Sequence, residues 1–346
     1  MLYVGLDLSR KRIDFHALTE GGELVERGAV PADRDGLARL VYRLGGHGRE
    51  VQAVIESMNG ARFVHDQLEL AGFEVEIADA QRVKGLAPLA CKTDRIDAWV
   101  LAELARRELV PAIWLPDPAV RAERERARFR LHLVRKRTAL KNRIHATLIA
   151  HGHPCPVSDL FGTGGRRLLE RLDLPEPWRG TLEASLRLID ILEVEIDACE
   201  RELRRLGAEH RYVPLLMSCP GIAWVLGYTI ASELGDVARF QSPHKLVGYT
   251  GLCPKVDQSG ERDWRGPLKK NGPRYLRWAL IEAAQHAGAS SHYRDLSQRK
   301  RTQYPGPRGS KIAAICVARK LAEAIWYMLT RNQPFAPAGA TRPLTA

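Results

Sequence analysis

Short apolar runs alternate with polar turns through the first hundred positions, a pattern that predicts strands interleaved with helices. Leu2-Tyr3-Val4-Gly5-Leu6 ends at Asp7, and after the basic turn Ser9-Arg10-Lys11-Arg12 a second run extends from Ile13 to Leu18. The pair predicts a hairpin with Asp7 on its first strand. Val51-Gln52-Ala53-Val54-Ile55 ends at Glu56, and Asn59 and Gly60 break the chain just beyond it. A further run, Phe73 to Ala78, leads into Asp79 and a helical stretch. Asp94 and Asp97 then open a helix that continues through Ala98, Leu101, Leu104 and Ala105, with Thr93 or Asp94 as its cap. The segment to about Leu115 is therefore expected to be an α/β domain.

Pro116 and Pro118 mark a boundary, after which helical periodicity runs to Ala150 with Leu133, Leu140, Ile144 and Leu148 beside a basic face. His151 to Gly165, containing several Gly and Pro residues, predicts a turn or exposed loop, and the next helix is expected near Trp178. That helix repeats in heptads. Leu182, Ile189, Ile196 and Leu203 fall seven apart, Leu192, Cys199 and Leu206 take the alternate core position, and only Ser185 is out of place. Antiparallel pairing with the preceding helix and pairing with another subunit both satisfy this pattern. A third region, Tyr212 to about Leu329, is predicted to be mostly helical and interrupted by glycines, and the Pro- and Ala-rich tail from Asn332 to be disordered. The expected division is 1–115, 116–211, 212–330 and a tail of 331–346.

At 346 residues the chain is long enough for two or more domains, each with a core of its own. Its net charge of +12 is concentrated: Arg124, Arg126, Arg128, Arg130, Arg135, Lys136, Arg137 and Lys141 fall in one segment against only Glu123 and Glu125. A polyanion is the natural partner of such a stripe, although a solvated helix face would look the same. No apolar run approaches a membrane span and no signal-type segment precedes the first strand, so a cytoplasmic protein is expected. Six cysteines, Cys91, Cys155, Cys199, Cys219, Cys253 and Cys316, lie far apart with no Cys-x-x-Cys pair, which supports neither a zinc ribbon nor a disulfide framework. His151, His153 and Cys155 have the chemistry of zinc ligands, but a fourth ligand is not evident.

The acids change the picture. Asp7 lies on the first strand, Glu56 sits at a strand's exit, and the three-residue spacing of Asp94 and Asp97 sets both on one helical face. Carboxylates gathered together repel one another unless a cation neutralises them, and oxygen donors suit hard divalent ions such as Mg²⁺. Two such ions about 4 Å apart can activate an attacking oxygen and stabilise a leaving one at a phosphodiester.

Two further stretches carry candidate chemistry. Cys219-Pro220-Gly221-Ile222-Ala223 lies between apolar helical segments in the pattern of a helix-hairpin-helix, whose turn can aim backbone N–H groups at a phosphate; an ordinary packing turn has the same pattern. Tyr249-Thr250-Gly251-Leu252-Cys253-Pro254 is followed by Asp257-Gln258-Ser259-Gly260 and Gly266-Pro267-Leu268-Lys269-Lys270-Asn271-Gly272, then by a helix carrying Arg274 and Arg277. Lys269, Lys270, Arg274 and Arg277 suit the neutralisation of phosphate charge, and Ser259 suits a nucleophile if a metal or base assists its deprotonation.

With both halves read, the chain resembles a transposase of the bacterial insertion-sequence family one-ten, the DEDD-type recombinases that include a pilin-gene invertase. VGLDLS around Asp7, AVIES around Glu56 and CKTDRIDAWVLAEL around Asp94 and Asp97 carry the resemblance to the family's RuvC-like domain of RNase H-type fold. YTGLCPKVDQSGE and GPLKKNGPRYLRWALIEAA carry the resemblance to its transposase domain. Gly60 is slightly displaced from the family's Glu-x-Thr-Gly pattern. The resemblance implies a site-specific DNA recombinase with Mg²⁺, for which Mn²⁺ can substitute, on Asp7, Glu56, Asp94 and Asp97. It implies Ser259 as a nucleophile that forms a covalent phosphoserine link to DNA. It further implies donor and target DNA as partners, guidance by a structured bridge RNA from the element's non-coding end, and a dimer assembling to a tetramer. The competing readings are a Mg²⁺-dependent, junction resolvase-like endonuclease in which water attacks, and a non-catalytic nucleic-acid-binding protein.

Overall fold

Alternation of buried and exposed side chains organises the first sheet. β1 (Leu2–Leu8) pairs antiparallel with β2 (Arg12–Leu18), which pairs antiparallel with β3 (Leu24–Pro31). After α1 (Arg34–Gly45), whose first turn is capped by the Asp33 carboxylate accepting from the Gly36 N–H, the chain returns as β4 (Val51–Glu56), parallel to β1. α2 (Ala61–Leu70) then leads to β5 (Glu74–Ala78), parallel to β4, so that the strand order is β3-β2-β1-β4-β5. α3 (Ala80–Leu86) and α4 (Asp94–Arg106) follow. The computed structural model describes residues 1–86, 94–153, 155, 157–259 and 262–336, without the side chains of residues 94, 95, 257, 262, 263 and 265. The chain divides into two compact units, Met1–Leu115 and Pro116–Ala346.

In the first unit, Leu2, Val4, Leu6, Ile13, Phe15 and Ile55 project from one sheet face onto Leu37 and Leu40 of α1 and Val64 and Leu68 of α2. The other face meets α4, where Leu101 and Ala105 pack with Val54, Ala78 and Tyr3. β3 has no counterpart among the expected strands. Glu26, Arg27 and Gly28 weaken its local strand signal, and the ladder to β2 supplies what propensity does not.

The second unit is mostly helical. α5 (Pro118–Ala150) begins at the Asp117 cap, with Pro118 in the first turn where its missing N–H costs nothing. α6 (Thr163–Arg171) occupies part of a stretch that reads as a loop in the sequence, and α7 (Trp178–Ala208) begins where expected. α5 and α7 form an antiparallel pair: Leu182 and Ile189 pack with Ile144 and Leu148, whereas Leu203 at the other end joins Ala127. This intrachain pairing buries Leu182, Ile189, Ile196 and Leu203, and leaves Leu188, Ile191 and Val194 exposed on another side of α7.

α8 (Val213–Met217), α9 (Trp224–Leu234), a short 3-10 turn and α10 (Pro243–Thr250) lead to a two-stranded antiparallel hairpin, β6 (Pro254–Ser259) and β7 (Arg262–Leu268). α11 (Arg274–Ala287), α12 (Arg294–Gln303) and α13 (Pro307–Arg331) close the unit. Leu234, Leu280, Val317 and Leu321 lie in one shared core. The hairpin is a departure from the expected helix-and-loop reading of this region. The tail also departs from its expectation at its start: Phe335 is buried against His292 and Tyr293, and its N–H donates to Ser218 Oγ at 2.8 Å. Residues 337–346 lie outside the described residues.

Candidate active site

Strand alternation decides where Asp7 points. Leu2, Val4, Leu6 and Leu8 enter the core beneath α1 and α2, which turns Tyr3, Gly5 and Asp7 toward the face covered by α4. Gly5 permits close packing there, because a Cβ would overlap the Ala98 carbonyl oxygen and the Ala102 nitrogen. Tyr3 packs in the cluster of Leu101 and Ala105, further along α4 than Ala98, so the helix runs antiparallel to β1. Its N-terminal end therefore lies toward Asp7. Register pairs Leu6 with Ile55, and one residue further along these parallel strands Glu56 stands beside Asp7 on the α4 side. Asp7, Glu56 and Asp97 are all half-buried. Asp94 is the first residue of α4, while its side chain and Thr93 lie outside the described residues.

A fifth acid, Asp14, was not singled out by the sequence. It stands directly across from Asp7 in the β1–β2 register, is only 6% exposed, and accepts from Arg12 Nε and Nη2, each at 2.6 Å. The sequence signal was the alternation Arg12-Ile13-Asp14-Phe15, which sets Arg12 and Asp14 on one side of the strand.

Among the described residues no group of three or more His, Cys, Asp or Glu side chains is arranged to hold an ion. The donor chemistry nevertheless fits a hard cation, since Asp7 and Glu56 bring carboxylates to adjacent strand ends beside the start of α4. Two of the three zinc candidates are engaged otherwise. His151 packs edge-on to Trp178, with Nδ1 3.0 Å from the Thr147 carbonyl oxygen, and Cys155 Sγ donates to the Val157 carbonyl.

In the second unit Ser259 ends β6 as an exposed residue, paired in register with Arg262 across the hairpin. The base of this hairpin is clamped by two left-handed glycines. Gly251, φ 70°, presses on the Asn271 carbonyl, and Gly272, φ 89°, presses on the Tyr249 carbonyl. Arg277 reinforces the clamp by donating from Nη1 to Thr250 O at 3.3 Å and to Lys270 O at 3.1 Å, and burial lowers its pKa. Lys269, Lys270 and Arg274 remain exposed around this base.

The basic stripe of α5 divides into two groups. Arg124 donates to the carbonyls of Ser232 and Glu233, and Arg128 binds the Glu233 carboxylate. Arg126 pairs with Glu202, Arg130 with Glu200, and Arg137 and Lys141 with Glu193. Arg135 and Lys136 stay exposed. Arg128, Arg135 and Arg274 all lie over the Tyr275 ring, within 5.6 Å of its centroid, a grouping invisible in the sequence. The Pro220-Gly221 turn packs onto α11, where Gly221, φ 81°, meets the Ala283 carbonyl; its glycine thus answers a packing need.

Comparison with known proteins gives two family matches. Residues 4–151 match a transposase model of the DEDD, IS110 type, and residues 213–300 match the model described as Transposase IS116/IS110/IS902 family. The chain is similar to the transposase for insertion sequence element IS1111A of Coxiella burnetii, with 25% identity over 294 residues, 82% of this chain and 78% of the relative. It is also similar to the transposase for insertion sequence element IS1328 of Yersinia enterocolitica, with 26% identity over 288 residues, 81% of this chain and 84% of the relative. No helix among the described residues is long and apolar enough to cross a membrane.

Proposed function

We propose that this chain, a DNA transposase matched by models of the IS116/IS110/IS902 family, recombines DNA with Asp7, Glu56, Asp94 and Asp97 as its acids and Ser259 as its nucleophile. The observation that carries this reading is the convergence of Asp7, Glu56 and the start of α4 at one end of a β3-β2-β1-β4-β5 sheet. That strand order also supports an RNase H-like N-terminal unit.

DEDD transposases in general use divalent metal ions. Mg²⁺, with Mn²⁺ as substitute, suits the oxygen donors of the four acids and would, when bound, stabilise charge developing on the phosphodiester oxygens. The residues of the chain do the rest. Ser259, exposed at the end of a strand with a clamped base, can reach a phosphodiester without disturbing the core. A bond forms between Ser259 Oγ and phosphorus while one sugar–oxygen bond to phosphorus breaks; the serine loses its proton and the departing sugar oxygen gains one. Attack by a sugar hydroxyl of the exchanged strand reverses these steps and rejoins DNA.

Arg135, Lys136, Lys269, Lys270 and Arg274 supply exposed positive charge suited to sugar–phosphate backbones. Such contacts hold donor and target DNA without reading sequence, which leaves selection to base pairing with a structured bridge RNA. The exposed Leu188, Ile191 and Val194 support self-association through α7, first as a dimer and then as the tetramer that several strand cuts call for.

The test incubates purified protein, Mg²⁺, RNA from the flanking non-coding region, and labelled donor and target DNA. A denaturant-resistant protein–DNA adduct in wild type, absent from both Ser259→Ala and Asp7→Ala, is expected. Cleavage without adduct in wild type and Ser259→Ala alike would replace the proposal with a hydrolytic nuclease.

A further inference from the structure

α4 packs across β1 and β2, and β3 forms the sheet edge beyond them. Between the flank of α4 and that edge lies a pocket of about 420 Å³, within the range of roughly 300–1,000 Å³ usual for small-ligand sites. Its walls include Arg12, Asp14 and His16 of β2, Arg27 of β3, and Ile96 and Trp99 of α4. Register connects it to the acid site. Gly5 pairs with His16, Asp7 with Asp14, and His16 in turn with Arg27, so all of these face the same side of the sheet, with the pocket one strand away from Asp7.

The chemistry of the pocket is selective. Asp14 is held at both oxygens by Arg12, which offsets its charge, and Arg27 adds a second guanidinium to the described walls. Burial and the neighbouring Arg27 charge lower the His16 pKa, against an opposing pull from Glu103, which keeps the imidazole neutral at physiological pH. Trp99 is 41% exposed, offering a large apolar face on a wall where Ile96 adds further apolar surface. Guanidinium groups, a neutral hydrogen-bonding ring and an open indole together match a nucleotide: an anion to pair and a flat base to stack.

We propose that this pocket receives a nucleotide of the DNA strand being cut, its base stacked on Trp99 and its phosphate held by Arg27 and Arg12, so as to position the scissile phosphate toward Asp7. The inference rests on the reading that Asp7 and Glu56 mark the cutting site. Trp99, Arg27 and Arg12 are then strand-positioning residues, and Asp14 acts through Arg12 by fixing its direction.

The test uses the full chain with flanking-region RNA, Mg²⁺ and a donor strand carrying 5-iododeoxyuridine beside the cleavage position. Irradiation is expected to attach the strand to the peptide containing Trp99. Trp99→Ala should weaken donor-strand binding by about 5-fold to 150-fold, the range that follows from losing one base–aromatic stack, and Trp99→Phe should restore most of it. Arg27→Ala should weaken binding and reduce the slope of log affinity against log salt by about one. Unchanged binding in Trp99→Phe, Trp99→Ala and Arg27→Ala, each melting as wild type does, would overturn the proposal. So would an adduct at Trp99 formed only by an RNA oligonucleotide of the same sequence. If Trp99→Ala fails to fold, Arg27→Ala carries the decision: wild-type affinity and salt slope in that variant would overturn the proposal. Asp7→Ala separates the two readings. Continued cutting by Asp7→Ala would sink the acid-site assignment, whereas loss of cutting there with wild-type strand binding in the pocket variants would sink the pocket alone.

Discussion

Glu233 is fully buried and accepts both arms of Arg128, Nε to Oε1 at 2.7 Å and Nη2 to Oε2 at 3.0 Å. Burial pulls the Arg128 pKa down, and the hydrogen bonds and charge of Glu233 more than offset it. This pair ties α5 to the end of α9, with Arg124 holding the adjacent backbone carbonyls.

Removing Arg128 takes two hydrogen bonds from a buried carboxylate. Arg128→Met is expected to destabilise the protein by less than the roughly 3–5 kcal/mol of a fully buried pair, because the Arg128 side chain is 36% exposed and Arg124 Nε stays 3.9 Å from the Glu233 carboxylate. Pairing it with Glu233→Leu should cost less than the two single replacements summed, because the neighbouring Arg124 keeps its hydrogen bonds to the backbone carbonyls of residues 232 and 233. Denaturant unfolding of the two single variants and the double variant measures this, and additive losses would contradict it.

Gly5→Ala should separate α4 from β1, since the added carbon overlaps the Ala98 carbonyl and the Ala102 nitrogen. Overpacking of this kind costs typically about 1–3 kcal/mol. Because α4 also carries Asp97, strand cleavage should fall further than the melting temperature suggests. Wild-type cleavage in a folded Gly5→Ala protein would argue that the acids need no fixed helix.

His16 has a lowered pKa, so the folded state binds its proton less readily than the unfolded chain. The associated stability is therefore present above the ordinary value of about 6.5 and is lost as pH falls through the lower folded value. Melting temperature should decline in wild type as pH falls below about 6.5, with a shallower decline in His16→Gln. Glu26 and Glu103, whose pKa values are lowered chiefly by hydrogen bonds from His47 and Arg106 respectively, contribute their losses at still lower pH. Parallel wild-type and variant curves through the His16 range would refute the assignment.

Gly251→Ala and Gly272→Ala each force a side chain into a left-handed backbone and onto a carbonyl of the facing loop. Each substitution is expected to cost at least about 1 kcal/mol and to loosen the base of the hairpin. If Ser259 is the nucleophile, adduct formation should fall in both variants while binding of the donor strand persists. Loss of both together would point to unfolding instead.

Ile191→Glu should shift the protein toward smaller species in sedimentation if α7 supplies a self-association surface, because Leu188, Ile191 and Val194 form an exposed apolar stripe. Ile189→Glu would instead unfold the α5–α7 pair. An unchanged sedimentation profile in folded Ile191→Glu would remove the stripe as an interface.

The strand ends at Asp7 and Glu56 were legible because apolar runs precede them and chain breaks or polar turns follow. α7 was legible from its heptads, and the structure selected the intrachain partner for that seam: Ile144, Leu148 and Ala127 of α5 had the matching positions. β3 was not legible, since an edge strand needs little apolar character once β2 supplies its ladder. The hairpin of β6 and β7 was hidden for a related reason. Its base is fixed by contacts between the Tyr249–Gly251 and Asn271–Gly272 segments, which no local pattern records. The ion pairs of the basic stripe were not legible either, because the carboxylates that engage it come from distant positions: Glu193, Glu200 and Glu202 on α7 and Glu233 on α9.

The engagement of those arginines bears on how the protein responds to its ionic surroundings. A cation already neutralised by a neighbouring carboxylate releases few counterions from DNA, so the salt sensitivity of binding should track accessible charges such as Arg135, Lys136, Lys269, Lys270 and Arg274. A count of positive residues along α5 would overstate it. The net charge of +12 thus contains two populations, one that stiffens the helical scaffold at any ionic strength and one whose grip on nucleic acid relaxes as salt rises.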